Sequence, residues 1–266
     1  MMRRTRPIWM GVGPRVLLAL AFGLLAGPSP AQVLLGGPKD APVDQILLSY
    51  DATAAYRARA RHSVLAVEVR RKADAHLDPQ LVPPWGGAAV AVRIGRVARL
   101  LTPTIVVQDA VSISVVLPDG RRVPGRTVAA LPGTTVSVVA VEPWPADVVP
   151  LELAPDETIR VGVAGLTLTR LGIDAREVVS KVHLLERVDE QGTPVWVTDV
   201  VRPWGFPVLD PDLRLMALPF AWAHGTSERT LALAAPELRK MLAKCCDAQP
   251  QAPPSGGAPA GPGHGR

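Results

Sequence analysis

Cysteine is nearly absent: the chain has two, Cys245 and Cys246, side by side near its end. That excludes the disulfide framework of a small secreted scaffold, and without a nearby Cys/His cluster it excludes a structural zinc site. A bond between neighbouring cysteines closes a strained ring, so the pair reads as two half-buried tail thiols, with pairing to another chain left open. Aromatic residues are scarce at 4% of the chain, so the core must be built from aliphatic side chains. No apolar run reaches the ~20 residues of a comfortable membrane span. Acidic residues are missing from positions 1–31, which hold Arg3, Arg4, Arg6 and Arg15. Without those four arginines, 25 basic residues face 24 acidic ones, so the net charge of +5 belongs mostly to the N-terminus and gives no reason to expect nucleic-acid binding.

What is present is ordered in blocks. Arg3 to Arg15, the apolar run Val16 to Ala26 and Ser29-Pro30-Ala31 have the three parts of a secretory signal peptide over residues 1–31. An uncleaved anchor is the rival reading of the same segment. Export to the periplasm, cell envelope or extracellular space follows as an expectation, with no stable span after cleavage. Residues 32–62 read as a Gly/Pro linker followed by a helix from Asp44 to Arg61, with arginines in its last turn where the helix dipole favours cations.

From Ser63 the period changes to short, Val-rich, alternating runs punctuated by Gly, Pro and Asp-Gly. SVLAVEVR, AAVAVRI, RVARLL, SISVVL, RRVPGRTVAAL, TTVSVVAVE and VVPLEL read as strands, and more follow to RTLALA. Asp119-Gly120 marks a hairpin turn. The pattern predicts an all-β barrel or sandwich over residues 63–244, with APELRKMLAK as a C-terminal helix. Residues 245–266, rich in Pro, Gly and Ala, read as a disordered tail.

The β-rich part resembles the trypsin-like HtrA serine proteases in its running order. Trp85 to Val90 is similar to the family's Gly-Ser-Gly strand opening, and Leu100 to Val107 to its "ILTNNHVV" segment. Ser114 to Val128 (SVVLPDGRRVPGRTV) is similar to its "VTLPDGRRVPARVV" hairpin, the most specific of the matches. Pro132 to Val141 resembles "DPRTDLAVLKV", and Arg160-Val161-Gly162 resembles "RVGD". Thr198-Asp199 and Pro207 to Asp210 bracket the region where the family carries its nucleophile. Leu231 to Pro236 stands where "GFAIP" leads into the final helix. The resemblance implies a double six-stranded β-barrel with a short N-terminal helix and a C-terminal helix.

Carried over position by position, the family's general base falls on Ile105, its orienting Asp on Thr135 and its nucleophile on Trp204, in a loop two residues shorter than the family's. Ile has no proton acceptor, Thr no buried negative charge and Trp no nucleophile. Trp204, Gly205 and Phe206 replace the Gly-rich turn that would present backbone N–H groups to an oxyanion. The expectation is therefore a non-catalytic pseudoprotease acting as a binding or scaffold protein, with a peptide or protein partner and a homo-oligomer left open. The alternative is a serine-type hydrolase of the same fold with relocated catalytic residues.

Other candidates are thinner. Of five histidines, His264 falls in the predicted tail, His62 ends the first helix, and His183 reads as a satisfied strand residue. Asp74, His76 and Asp78 lie on one polar loop, too local to complete a metal site. His224 with Ser227 is the relocated pair that the alternative names. Trp85, Trp144, Trp196 and Trp222 read as packing residues, and Trp204 equally as packing or as an aromatic cleft. Gly86-Gly87 precedes a strand rather than a helix, so it does not read as a phosphate cradle. No cofactor, metal or nucleic-acid motif stands out.

Overall fold

Alternating small and branched apolar residues make strands that can bury one face inside a barrel and the other against a neighbour. The computed structural model describes residues 41–72, 85–169, 177–199, 202, 204–223 and 229–246. The signal-like residues 1–31, Asp74, His76, Asp78, His224, Ser227, His264 and positions 247–266 lie outside the described residues.

Twelve strands run in order: β1 (Val64–Arg71), β2 (Gly86–Ile94), β3 (Val97–Pro103), β4 (Ala110–Val116), β5 (Arg122–Ala130), β6 (Val136–Val141), β7 (Val163–Thr169), β8 (Val178–Glu190), β9 (Thr193–Thr198), β10 (Val208–Leu209), β11 (Leu215–Trp222) and β12 (Thr230–Ala234). They close into two six-stranded barrels, β1-β2-β3-β6-β5-β4 and β10-β11-β12-β9-β8-β7, and every paired strand is antiparallel. This is the trypsin-like double barrel the sequence resemblance implies.

Both faces of the first barrel's central strands are buried. Leu65, Val67, Ala89, Ala91, Leu100 and Val139 pack together inside the barrel. Their neighbours Val64, Val90, Val92, Leu101 and Val138 join a larger cluster with Leu166, Leu218 and Leu233 of the second barrel. That is why β6 is buried at every position and reads as a continuous apolar run rather than an alternating one. The second barrel's interior holds Val182, Leu184, Trp196, Val208 and Met216.

VVPLEL, read as a strand, is instead an extended connection between the barrels. It makes two isolated bridges, Leu151 with Val92 of the first barrel and Leu153 with Leu215 of the second. One short segment thus fastens both sheets, which a full strand in either could not do.

The helix read over Asp44–Arg61 is two helices, α1 (Ala41–Leu48) and α2 (Tyr50–Ala60). Ser49 breaks them: its backbone is extended (φ −108°, ψ 123°) and its hydroxyl caps α2 by accepting from Ala52 N. Tyr56 of α2 is buried and its hydroxyl donates to the Asp210 carbonyl in the β10–β11 connection, 3.2 Å away. Burial and the nearby Asp210 charge push the Tyr56 phenol far above its ordinary pKa. A one-turn helix, α3 (Thr104–Val107), follows β3. The last helix, α4 (Ala235–Cys246), runs two residues beyond the predicted end and buries Leu238 and Leu242. No helix among the described residues is long and apolar enough to cross a membrane.

Candidate functional site

The segments that carry the three positions adjoin one another: α3, the β5–β6 turn and the turn before β10. Ile105 lies in α3, half-buried against the first barrel's interior cluster. α3 is tied to the β5–β6 turn: Thr104 N donates to the Thr135 carbonyl (2.6 Å), and the Thr104 and Ser137 hydroxyls are 2.9 Å apart. Ile105 and Thr135 are thereby held side by side.

Trp204 reaches the same place from the second barrel. Its carbonyl accepts from Ala88 N of β2 at 2.7 Å. Gly87 fits between that carbonyl and Val106 of α3, since a Cβ there would stand 2.6 Å from the one and 2.7 Å from the other. Gly205 follows with φ +88°, where a Cβ would fall 2.0 Å from the Ala88 carbonyl. Trp204 and Phe206 are buried in the cluster that joins the barrels, and the Arg202 guanidinium lies 4.6 Å from the Trp204 ring centroid. The Trp204–Phe206 turn is thus seated against β2 by backbone contact and by two rings.

Beside Thr135 a groove of about 550 Å³ opens between the two barrels. Thr134 and Thr135 form one wall, Glu190, Gln191 and Thr193 of the β8–β9 hairpin another, and Phe220 and Trp222 of β11 the third. Past Ala217, β11 pairs with β12 and no longer with β10, which leaves the other edge of Leu218–Trp222 without a strand among the described residues.

The second barrel carries a feature that reading along the sequence missed. His183 Nδ1 donates to Asp199 Oδ2 at 2.8 Å, and His183 N donates to Asp199 Oδ1 at 2.7 Å. The β8–β9 ladder ends at Leu184 and Thr198, and the Asp199 carboxylate takes the next place along it. Because a carboxylate accepts, Nδ1 carries the proton, and the basic lone pair of the neutral ring is on Nε2. A carboxylate that holds an imidazole in one tautomer is an arrangement general bases use, and here the ring's Nε2 is enclosed. His183 is 7% exposed. The signal available in sequence was Thr198-Asp199, read only as a bracket around the nucleophile region. Nothing in a linear reading joins it to a histidine sixteen residues earlier.

The remaining candidates separate. His62 lies just past the end of α2, and its Nδ1 donates to the Asp147 carbonyl at 2.9 Å. Trp144 donates through Nε1 to Val148 O, and Trp196 is inside the second barrel. Cys245 is half-buried on α4. Among the described residues, no three His, Cys, Asp or Glu side chains gather as a metal would need.

No protein-family model matches the chain, and no curated protein matches it. Solved structures do. The Rv3671c protease from M. tuberculosis in its active form is 21% identical with a TM-score of 0.55, over 74% of this chain and 86% of that one. The HtrA-type protease AlgW with a decapeptide is 20% identical with a TM-score of 0.52, over 72% and 67%. The serine endoprotease from Yersinia pestis is 16% identical with a TM-score of 0.53, over 71% and 65%.

These likenesses overturn the expectation of a non-catalytic pseudoprotease. The structures that share the two barrels are those of serine proteases, one of them in its active form, and the serine-type hydrolase alternative fits them better. The physical error lay in passing from three inert positions, Ile105, Thr135 and Trp204, to the whole molecule. Three inert positions do not speak for the other side chains, and a carboxylate-held imidazole stands elsewhere in this fold. The chain has the trypsin-like double-barrel fold of the HtrA-type serine proteases.

Proposed function

We propose that this chain is an exported serine-type peptide hydrolase of the trypsin fold whose acid–base unit is the His183–Asp199 pair. The observation that carries the reading is the two-bond clamp of Asp199 on His183, which fixes the tautomer a general base requires. In this reading Nε2, enclosed in the resting structure, is uncovered on substrate binding and takes the proton of an attacking serine hydroxyl as its oxygen bonds to the scissile carbonyl carbon. It then returns that proton to the leaving amine, and water hydrolyses the acyl-enzyme. Ile105, Thr135 and Trp204 supply none of these steps. Substrate specificity falls to the groove beside Thr135, where an extended peptide can add to the open edge of Leu218–Trp222 with side chains against Phe220 and Trp222. The similar HtrA-type protease AlgW has been solved with a decapeptide. Export rests on the signal-like residues 1–31.

The test is turnover of a fluorogenic peptide library by the wild type and by His183→Gln and Asp199→Asn. Loss of the base should lower kcat/KM by ~10²–10⁴-fold, with the circular dichroism spectrum and melting transition retained. Asp199→Asn should also alter the pH profile of whatever rate remains. A wild type without turnover across pH 5–9, or a His183→Gln variant as active as the wild type, would refute the assignment.

A further inference from the structure

The two walls of the groove beside Thr135 differ in charge. The first-barrel wall is the β5–β6 turn, and from Thr127 to Val141 the chain has no charged side chain. The second-barrel wall is the tip of the β8–β9 hairpin, where Glu186, Asp189 and Glu190 stand against the single Arg187. Arg187 reaches another element, with Nη2 3.6 Å from Glu237 Oε1 of α4. Asp189 is used within the hairpin: its Oδ1 accepts from Gly192 N at 2.7 Å, across the Gln191–Gly192 turn in which both residues have positive φ. Among the described residues that line the groove, Glu190 is then the one with a charge. A cleft whose walls carry charge of one sign concentrates ligands of the other.

The rest of the lining is apolar or neutral. Val195 of β9, Leu231 of β12 and Phe220 of β11 are buried where they line it, and the half-buried Trp222 stands beside them. An apolar and aromatic groove with one carboxylate fits a side chain that is apolar along its length and cationic at its tip. Arg and Lys bury their methylene stems while the charged head stays among polar groups. Aromatic faces attract the same cation. A carboxylate accepts at about four lone-pair sites, so the contacts Glu190 makes within the chain leave room for a ligand N–H. An acidic side chain would meet Glu190 with no cation in the lining to offset it. Between the two cations, the planar guanidinium can give a carboxylate two parallel hydrogen bonds, which an ammonium cannot.

We propose that this groove selects extended peptides by a basic side chain, arginine before lysine, whose stem lies on Phe220 and Leu231 and whose cation meets Glu190 and the Trp222 ring. The inference rests on the peptide-hydrolase reading of the groove and names the side-chain class it takes; Glu190 is the specificity-determining residue.

Fluorescence anisotropy of dye-labelled octapeptides tests it. Each has an Ala/Ser background and one variable residue, walked along the chain: arginine, its uncharged isostere citrulline, norleucine or glutamate. Mass spectrometry of the same samples reads cleavage separately. At one position the arginine peptide should bind the wild type about tenfold tighter than the citrulline peptide, with glutamate weakest. High salt should shrink that preference. Glu190→Gln should bring arginine and citrulline to within about twofold of each other. Glu190→Lys should favour the glutamate peptide, a reversal that a misfolded hairpin could not produce. No arginine preference at any position, a preference that survives Glu190→Gln, or no binding by any peptide would overturn the proposal. Cleavage without arginine preference would overturn it and leave the hydrolase standing, whereas arginine-selective binding without cleavage would uphold it and remove the hydrolase.

Discussion

Gly205 and Gly120 share the same backbone angle, φ +88°, in opposite surroundings. At Gly120, in the β4–β5 hairpin, an added Cβ meets nothing within 4 Å. At Gly205 it would fall 2.0 Å from the Ala88 carbonyl oxygen and 2.9 Å from Pro103 Cδ. Gly120→Ala should therefore cost only the left-handed backbone term, ~1–2 kcal/mol. Gly205→Ala adds an overlap that must push the turn off β2, ~1–3 kcal/mol, and weakens the Ala88–Trp204 backbone hydrogen bond, ~0.5–1.5 kcal/mol. The sum is about 2.5–6.5 kcal/mol, a large share of a typical ~5–15 kcal/mol domain stability. Urea titrations followed by tryptophan fluorescence measure both variants, and Trp204 itself reports on the contact. If Gly205→Ala costs no more than Gly120→Ala, the turn is not seated on β2 and the placement of Trp204 between the barrels is wrong.

Trp204→Ala should cost ~3–5 kcal/mol, because it empties a buried indole site between the barrels; a shift of the urea midpoint checks it, and a cost under 1 kcal/mol would mean the ring does not pack there. Tyr56→Phe should cost ~0.5–1.5 kcal/mol at neutral pH for the lost bond to the Asp210 carbonyl. The same variant has a distinctive alkaline effect. Burial raises the folded-state pKa of Tyr56 above the unfolded value, so the unfolded chain loses this proton first and stability falls as pH rises past ~10. The wild type should therefore lose stability between pH 9 and 11 more steeply than Tyr56→Phe, as thermal melts at a series of pH values would show; parallel curves would mean Tyr56 is exposed.

Much of the fold was legible because it rests on local rules. Pro118-Asp119-Gly120 turns the chain where the sequence says it must, and Gly120 takes the positive φ the hairpin needs. Val-rich runs became strands because each had a face to bury. VVPLEL misled for the same reason: its leucines are buried, but against two different barrels, and local pattern does not say which sheet a run joins. The break at Ser49 was less visible, because a capping serine inside an otherwise helical stretch is also tolerated as a helix residue. The candidate site was half legible. The segments that carry Ile105, Thr135 and Trp204 adjoin one another through Thr104 and Gly87, which their order in the sequence could suggest but not place. The His183–Asp199 clamp was not, because it depends on where the β8–β9 ladder stops, a property of register that no single segment displays.

The central claim is tested most directly by a fluorophosphonate probe, with the labelled peptide located by mass spectrometry. The account predicts a single modified serine in the native chain, with labelling abolished by His183→Gln and strongly slowed by Asp199→Asn. A native chain that takes up no probe under conditions where trypsin is fully labelled, or one labelled just as fast without His183, would contradict it.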